Sequence, residues 1–144
     1  MSTDYFSLPF NTKSIITNKE HSKCTIKQSI AHFIHLVTTS YFGECTFDET
    51  FGCSIWDVDF DNLSSVNKIK SVIVDSLYDS LKKHEHRLTN VSIEVSINQE
   101  EISGMEKNNM VKKKVSLRVK GKVKKTNEDF LYNEYFFIGP LSYY

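Results

Sequence analysis

The sequence predicts an α+β domain: two amphipathic helices packed on a C-terminal antiparallel three-stranded sheet. Three observations carry that reading. Two long segments repeat their apolar residues at helical spacing. The period then changes to two from residue 91 onward. The three alternating segments follow one another directly, as a meander requires. With 144 residues, 40% of them apolar and 12% aromatic, the chain can bury one core without staples, so residues 1–144 are read as a single domain.

Residues 1–22 form an irregular N-terminal segment with one short strand expected around Ser14–Thr17. The first helix is expected from about Thr25 to Ser40. Ile26, Ile30, Phe33, Ile34 and Val37 fall on one face of it, and Gly43 marks its end. Residues 43–61, GECTFDETFGCSIWDVDFD, follow as a structured connection with at most one short strand. They hold six carboxylates (Glu44, Asp48, Glu49, Asp57, Asp59, Asp61), no Lys or Arg, and four aromatics (Phe47, Phe51, Trp56, Phe60) read as core and interface anchors. A second helix is expected from about Ser65 to Glu85. Val66, Ile69, Val72, Ile73, Leu77 and Leu81 share one face of it, and Ser64 or Ser65 serves as N-cap. Val91, Ile93, Val95 and Ile97 alternate with polar residues as the first strand. Residues 98–109 read as a long polar hairpin loop. Val115, Leu117, Val119 and Val123 form the second strand. After a turn at Thr126–Asp129 the third strand runs from Phe130 to Ile138, stopped by Gly139-Pro140.

Bulk properties exclude several functions. Eighteen basic and eighteen acidic residues cancel, so the chain is no globally basic nucleic-acid binder. The start, MSTDYFSLPF, lacks a charged n-region and apolar run, so no secretory leader is expected. The longest apolar run, Tyr135–Ile138, cannot span a bilayer. Cys24, Cys45 and Cys53 are odd in number and lack C-x-x-C spacing, which suits free thiols and a cytoplasmic location.

Candidate chemistry meets a plainer reading at each point. His32 and His35 fall roughly 140–160° from the centre of the first helix's apolar face and are expected in solvent. His84 and His86 flank Glu85, and neither pair has a partner at zinc-site spacing, so no metal and no cofactor are expected. Glu44, Glu49, Asp57 and Glu85 could supply a glycosidase pair, but carboxylates crowded into one connection more often form a solvated rim. No G-x-S-x-G or phosphate-cradling glycine motif occurs. Residues 107–125 hold nine basic residues and no acid. With the valines and Leu117 inward, Lys114, Arg118, Lys120, Lys122 and Lys124 line the outer face. That is a solvated strand face or a surface for an acidic partner. No aromatic interleaves with these lysines, which weakens single-strand nucleic-acid binding.

The order of these pieces resembles the contractile-tail baseplate wedge family, also called GPW-type or lysozyme-like, and within it the TssE component of type VI secretion. Pro9-Phe10 match the family's start, and Gly43-Glu44 its Gly-Glu-Arg. Asp48–Cys53, with Phe51-Gly52, match its Phe-Gly region. Trp56–Asp61 match the approach to the second helix, and Glu85-His86-Arg87 match its Glu-Pro-Arg. Cys45 stands where the family has arginine and His86 where it has proline, so the helix could run slightly past Glu85. The resemblance implies a non-enzymatic wedge component that templates the contractile sheath. Its implied partners are large wedge subunits (TssF, TssG and TssK-like) and sheath proteins (TssB and TssC-like), with no small-molecule substrate and no membrane insertion. Gly43, Glu44, Phe51, Gly52, Trp56, Glu85 and Arg87 are the residues it implies for wedge contacts, and Arg87→Glu is expected to abolish assembly without unfolding the domain. The family's older label leaves a muramidase alternative, with Glu44 or Glu85 as the acid. The basic strand leaves a nucleic-acid-binding alternative.

Overall fold

The computed structural model describes the backbone of residues 5–56, 66–102 and 110–138, and the side chains of these except Trp56, 99–102 and 110–112. The elements in chain order are β1 (Tyr5–Phe6), α1 (Thr12–Asn18), β2 (Lys23–Cys24), α2 (Ile26–Thr39), a 3₁₀ turn (Ser54–Trp56), α3 (Val66–His84), β3 (Leu88–Ile102), β4 (Met110–Val123) and β5 (Asp129–Ile138). The expected α+β class and C-terminal sheet hold. The sheet order is β3-β4-β5, antiparallel throughout, and β1 with β2 adds a small second sheet.

α2 starts with a full capping box. Thr25 accepts the Gln28 N–H, and the Gln28 side chain accepts the Thr25 N–H. Ile30, Ile34 and Val37 of α2 and Ile69, Ile73, Leu77 and Leu81 of α3 meet Val115, Leu117, Val119 and Val123 of β4 in one core. α3 lies against β3 and α2 against β5, so both helices cover the same face of the sheet. The opposite face carries no helix or strand among the described residues.

Several expectations are corrected. Ser14–Thr17 is helical, not a strand: Asn11 caps α1 by accepting the Ser14 N–H, and a local cap outweighs the β-branched run. Residues 98–102 are not loop, because β3 continues to Ile102 opposite Met110. Beyond Lys113, where β5 ends at Ile138, this ribbon has two strands among the described residues. Val72 is 39% exposed and Val66 is also exposed, so α3 buries a narrower stripe than its apolar residues suggest. α3 ends at His84 and does not run past Glu85. The N-cap expected at Ser64 or Ser65 lies outside the described residues.

Candidate functional site

Glu85 is the first residue after α3, and its N–H still bonds to Leu81 O at 2.8 Å. Its side chain is only 2% exposed. Two residues on, Arg87 turns back over it in a fork: Nε donates to Oε1 and Nη2 to Oε2, each at 2.8 Å. The Arg87 backbone N–H adds a third bond to Oε1 at 3.0 Å. The remaining guanidinium nitrogen, Nη1, donates to Ser29 Oγ on α2 at 2.8 Å, and the group lies over the Tyr5 ring at 5.5 Å. The Arg87 carbonyl accepts the Lys124 N–H. One arginine thus ties together the end of α3, the start of α2, the β4 terminus and the N-terminal strand. Hydrogen bonding to Glu85 raises the already high Arg87 pKa, so the guanidinium is permanently charged. This is not an exposed helix-end pair: the carboxylate is buried and both its oxygens are engaged.

The connector is built on Gly52. Its φ of 141° is open to glycine, and a Cβ there would sit 2.8 Å from Tyr41 C and 2.9 Å from Phe42 N. That close approach lets the Cys53 N–H reach Ser40 O at 2.9 Å and lets buried Ser80 of α3 donate to Gly52 O at 2.5 Å. Gly43, at φ 83°, closes the turn in which the Glu44 N–H bonds to Tyr41 O, while Glu44 Oε2 accepts the Tyr41 N–H. Phe51 stacks edge-on against Phe33 and His84. Asp48 accepts from the Thr50 N–H and hydroxyl, and these bonds hold its pKa below the usual carboxylate value. Phe47, expected as an anchor, projects into solvent at 96% exposure. The Trp56 side chain and residues 57–61 lie outside the described set, and with them Asp57, Asp59, Phe60 and Asp61. The connector contains no strand among its described residues.

His35 is exposed as expected, but His32 is not fully in solvent. His32 is half-buried, and its Nδ1 accepts the Leu8 N–H at 3.2 Å. His35 is exposed, yet it binds Glu134 of β5, which also takes the Thr38 and Tyr132 hydroxyls. Partial burial and the Glu134 carboxylate push the Tyr132 phenol far up. The three cysteines are free, and no cluster of metal-ligating side chains occurs among the described residues. No described helix is long and apolar enough to cross a membrane.

Sequence alone singled out Glu85, Arg87, Gly43, Glu44, Phe51 and Gly52, and the structure separates their roles. Glu85 and Arg87 form one clasp. Gly52 and Phe51 fix the connector to α2 and α3. Glu44 sits at the connector's exposed rim. Ser29, Tyr5 and Ser80 were missed, because serine and tyrosine carry no periodic signal and their partners are 28 to 82 residues away in sequence. On the sheet, Arg118, Lys120, Lys122 and Lys124 are exposed and Lys114 is partly covered, as the alternation requires.

Comparison with known proteins places this geometry. The family model for baseplate wedge protein gp25 matches residues 24–128. A solved structure, described as a candidate tail lysozyme from Geobacter sulfurreducens, superposes with a TM-score of 0.58 at 19% identity. The match covers 85% of this chain and 100% of that one. At that identity the likeness shows the fold alone. None of the curated proteins matches significantly.

Proposed function

The chain belongs to the family of baseplate wedge protein gp25, and on that premise we propose that it is a single-domain, non-enzymatic wedge subunit of a type VI-like contractile injection machine, working in the cytoplasm. Membership makes it a structural baseplate component that meets other baseplate proteins. The finer reading is that it docks the large wedge subunits (TssF, TssG and TssK-like) and presents a template to sheath subunits (TssB and TssC-like).

The observation that carries this reading is the Glu85–Arg87 clasp, inside the matched region. Its atoms are already paired internally, so it acts by holding the α3–β3 corner, the start of α2 and the N-terminal strand in a fixed relation. On this reading the connector residues Glu44, Phe51, Gly52 and Trp56 belong to the wedge contact. Rigid presentation of such a surface is what assembly with a large neighbour needs. The edge of β5 supports the templating half. Residues 129–138 pair with β4 without a register break and contain no Lys, Arg or Pro. Natural sheets protect exposed edges with such residues, and a regular edge that lacks them and is uncovered among the described residues suits strand addition. β3, by contrast, has a register shift between Thr89 and Ser92.

The muramidase alternative rests on the family's older label and the description of the structural neighbour. A glycosidase needs a carboxylic acid free to protonate the leaving oxygen. Both Glu85 oxygens are taken by Arg87, and Glu44 is exposed at a turn with its Oε2 on a backbone N–H. The test is co-expression of the chain with the large wedge subunits, followed by size-exclusion chromatography, alongside a peptidoglycan turbidity assay. Co-elution without lysis is expected. Lysis that disappears in Glu85→Gln or Glu44→Gln would replace this reading with the enzymatic one.

A further inference from the structure

The sheet face turned away from the helices has a specific relief. Its outward side chains align in rows across the three strands. Glu94, Arg118 and Asn133 form one row; Ser96, Ser116 and Tyr135 the next; Asn98, Lys114 and Phe137 the third. The middle row has two serines side by side, and their small size leaves a depression of about 510 Å³ lined by Glu94, Ser96, Lys114, Ser116, Arg118 and Tyr135, among others. In sequence no aromatic accompanies the basic strand. In space β5 brings exposed Leu131, Tyr135 and Phe137 onto the same face. Lys114 Nζ lies over the Tyr135 ring at 4.7 Å and near the Phe137 ring at 5.9 Å. Among the described side chains cations outnumber carboxylates here, with Lys114, Arg118, Lys120 and Lys122 against Glu94 and Asp129.

We propose that this face is a docking site for an extended acidic segment of a partner protein, of the pattern acid-x-apolar-x-acid. Alternate residues of a strand stand roughly 6.8 Å apart on one side. Lys114, Ser116 and Arg118 repeat at that pitch. A segment laid along β4 therefore sets carboxylates over Lys114 and Arg118 and one apolar side chain into the notch between them, against Tyr135. Charge complementarity selects an acidic occupant, whose carboxylate shares Arg118 with Glu94 at 3.7 Å. One feature selects protein over single-stranded nucleic acid. The Tyr135 ring face is covered by an ammonium, which competes with base stacking. The site is separate from the β5 edge and from the Glu85–Arg87 clasp, and it stands whether or not the wedge reading holds.

The test is an NMR titration of the ¹⁵N-labelled full chain with a ten-residue peptide containing Glu-Ser-Phe-Ser-Glu. The same peptide with Lys for Glu and a ten-nucleotide oligothymidine serve as comparators. Saturable shifts confined to residues 114–122 and 131–137, weakening as salt rises, are expected. Ser116→Leu fills the notch while keeping every charge and should weaken binding about tenfold; Tyr135→Ser should do the same. Arg118→Gln should weaken binding and flatten its salt dependence. Melting curves of each variant separate lost binding from lost fold. If Ser116→Leu binds as the unmodified chain does, the notch plays no part and the proposal fails. It fails equally if the lysine peptide binds as well as the acidic one. Tighter binding of oligothymidine would assign the face to nucleic acid instead.

Discussion

Replacing Arg87 with alanine isolates what the clasp contributes. The change removes both guanidinium bonds to Glu85, the bond to Ser29 and the contact with Tyr5. It leaves a carboxylate whose side chain is 2% exposed with only the residue-87 backbone N–H as partner. Breaking a buried pair on one side costs about 3–5 kcal/mol. The Arg87 side chain is itself 29% exposed, so water enters from that side and the lower end applies, about 3 kcal/mol. For a chain of this size that is a fall in Tm of roughly 10 °C. Urea unfolding followed by circular dichroism measures it directly. Glu85→Met with Arg87→Met removes both charges and should recover most of the loss; with the two single Met variants it closes a double-mutant cycle whose coupling should be at least about 1.5 kcal/mol. An Arg87→Ala protein within about 0.5 kcal/mol of the unmodified chain would refute the argument, because it would make the pair an ordinary surface ion pair. The same physics predicts that Arg87→Glu, expected from sequence to leave the domain folded, destabilises it by at least as much as Arg87→Ala. It sets two carboxylates in one buried corner, so lost assembly in that variant would not separate docking from folding.

Three further outcomes follow from the geometry. Gly52→Ala should destabilise by about 2 kcal/mol or more in urea unfolding, since the new methyl meets backbone it cannot displace; Gly43→Ala, with nothing within 4 Å, should cost only about 1 kcal/mol for its positive φ. Tyr132→Phe should remove an alkaline limb of stability. The folded phenol has a raised pKa, so its contribution is complete below the unfolded value near ~10 and fades as pH climbs above it, which melting curves from pH 9 to 12 would show. Asp48→Asn should flatten the acid limb instead. Its folded pKa is depressed by the Thr50 bonds, so that stability is present above the unfolded value near ~3.9 and lost as pH falls through the folded one.

The helices were legible because their burial is one-sided. The expected spans Thr25–Ser40 and Ser65–Glu85 became Ile26–Thr39 and Val66–His84, with Thr25 as the cap. The strands were legible only where they bury something. Val91–Ile97 and Val115–Val123 sit under the helices and alternate; residues 98–102 and 110–114 extend the ladder in sequence that does not alternate, and backbone pairing alone leaves no signature there. β1 and β2 are two residues each and show no period at all. The motif residues were found, but not what they do. No spacing rule reveals that Glu85 is buried, or that Arg87 reaches Ser29 across 58 positions. Nor does any rule place Tyr135 beside Lys114, which needs the β4–β5 register. Sequence also misjudged His32, which is folded under the N-terminal segment, and it could not say that Phe47, among the described residues, stands outside the core.

If the chain is the wedge subunit proposed above, it starts the sheath. Electron microscopy of sheath assembly from purified wedge and sheath subunits, with and without this chain, tests that role. Sheaths should grow from wedge complexes only when it is present, and the Arg87→Ala protein should initiate few of them. Sheaths that form equally well in its absence would rule out the templating role.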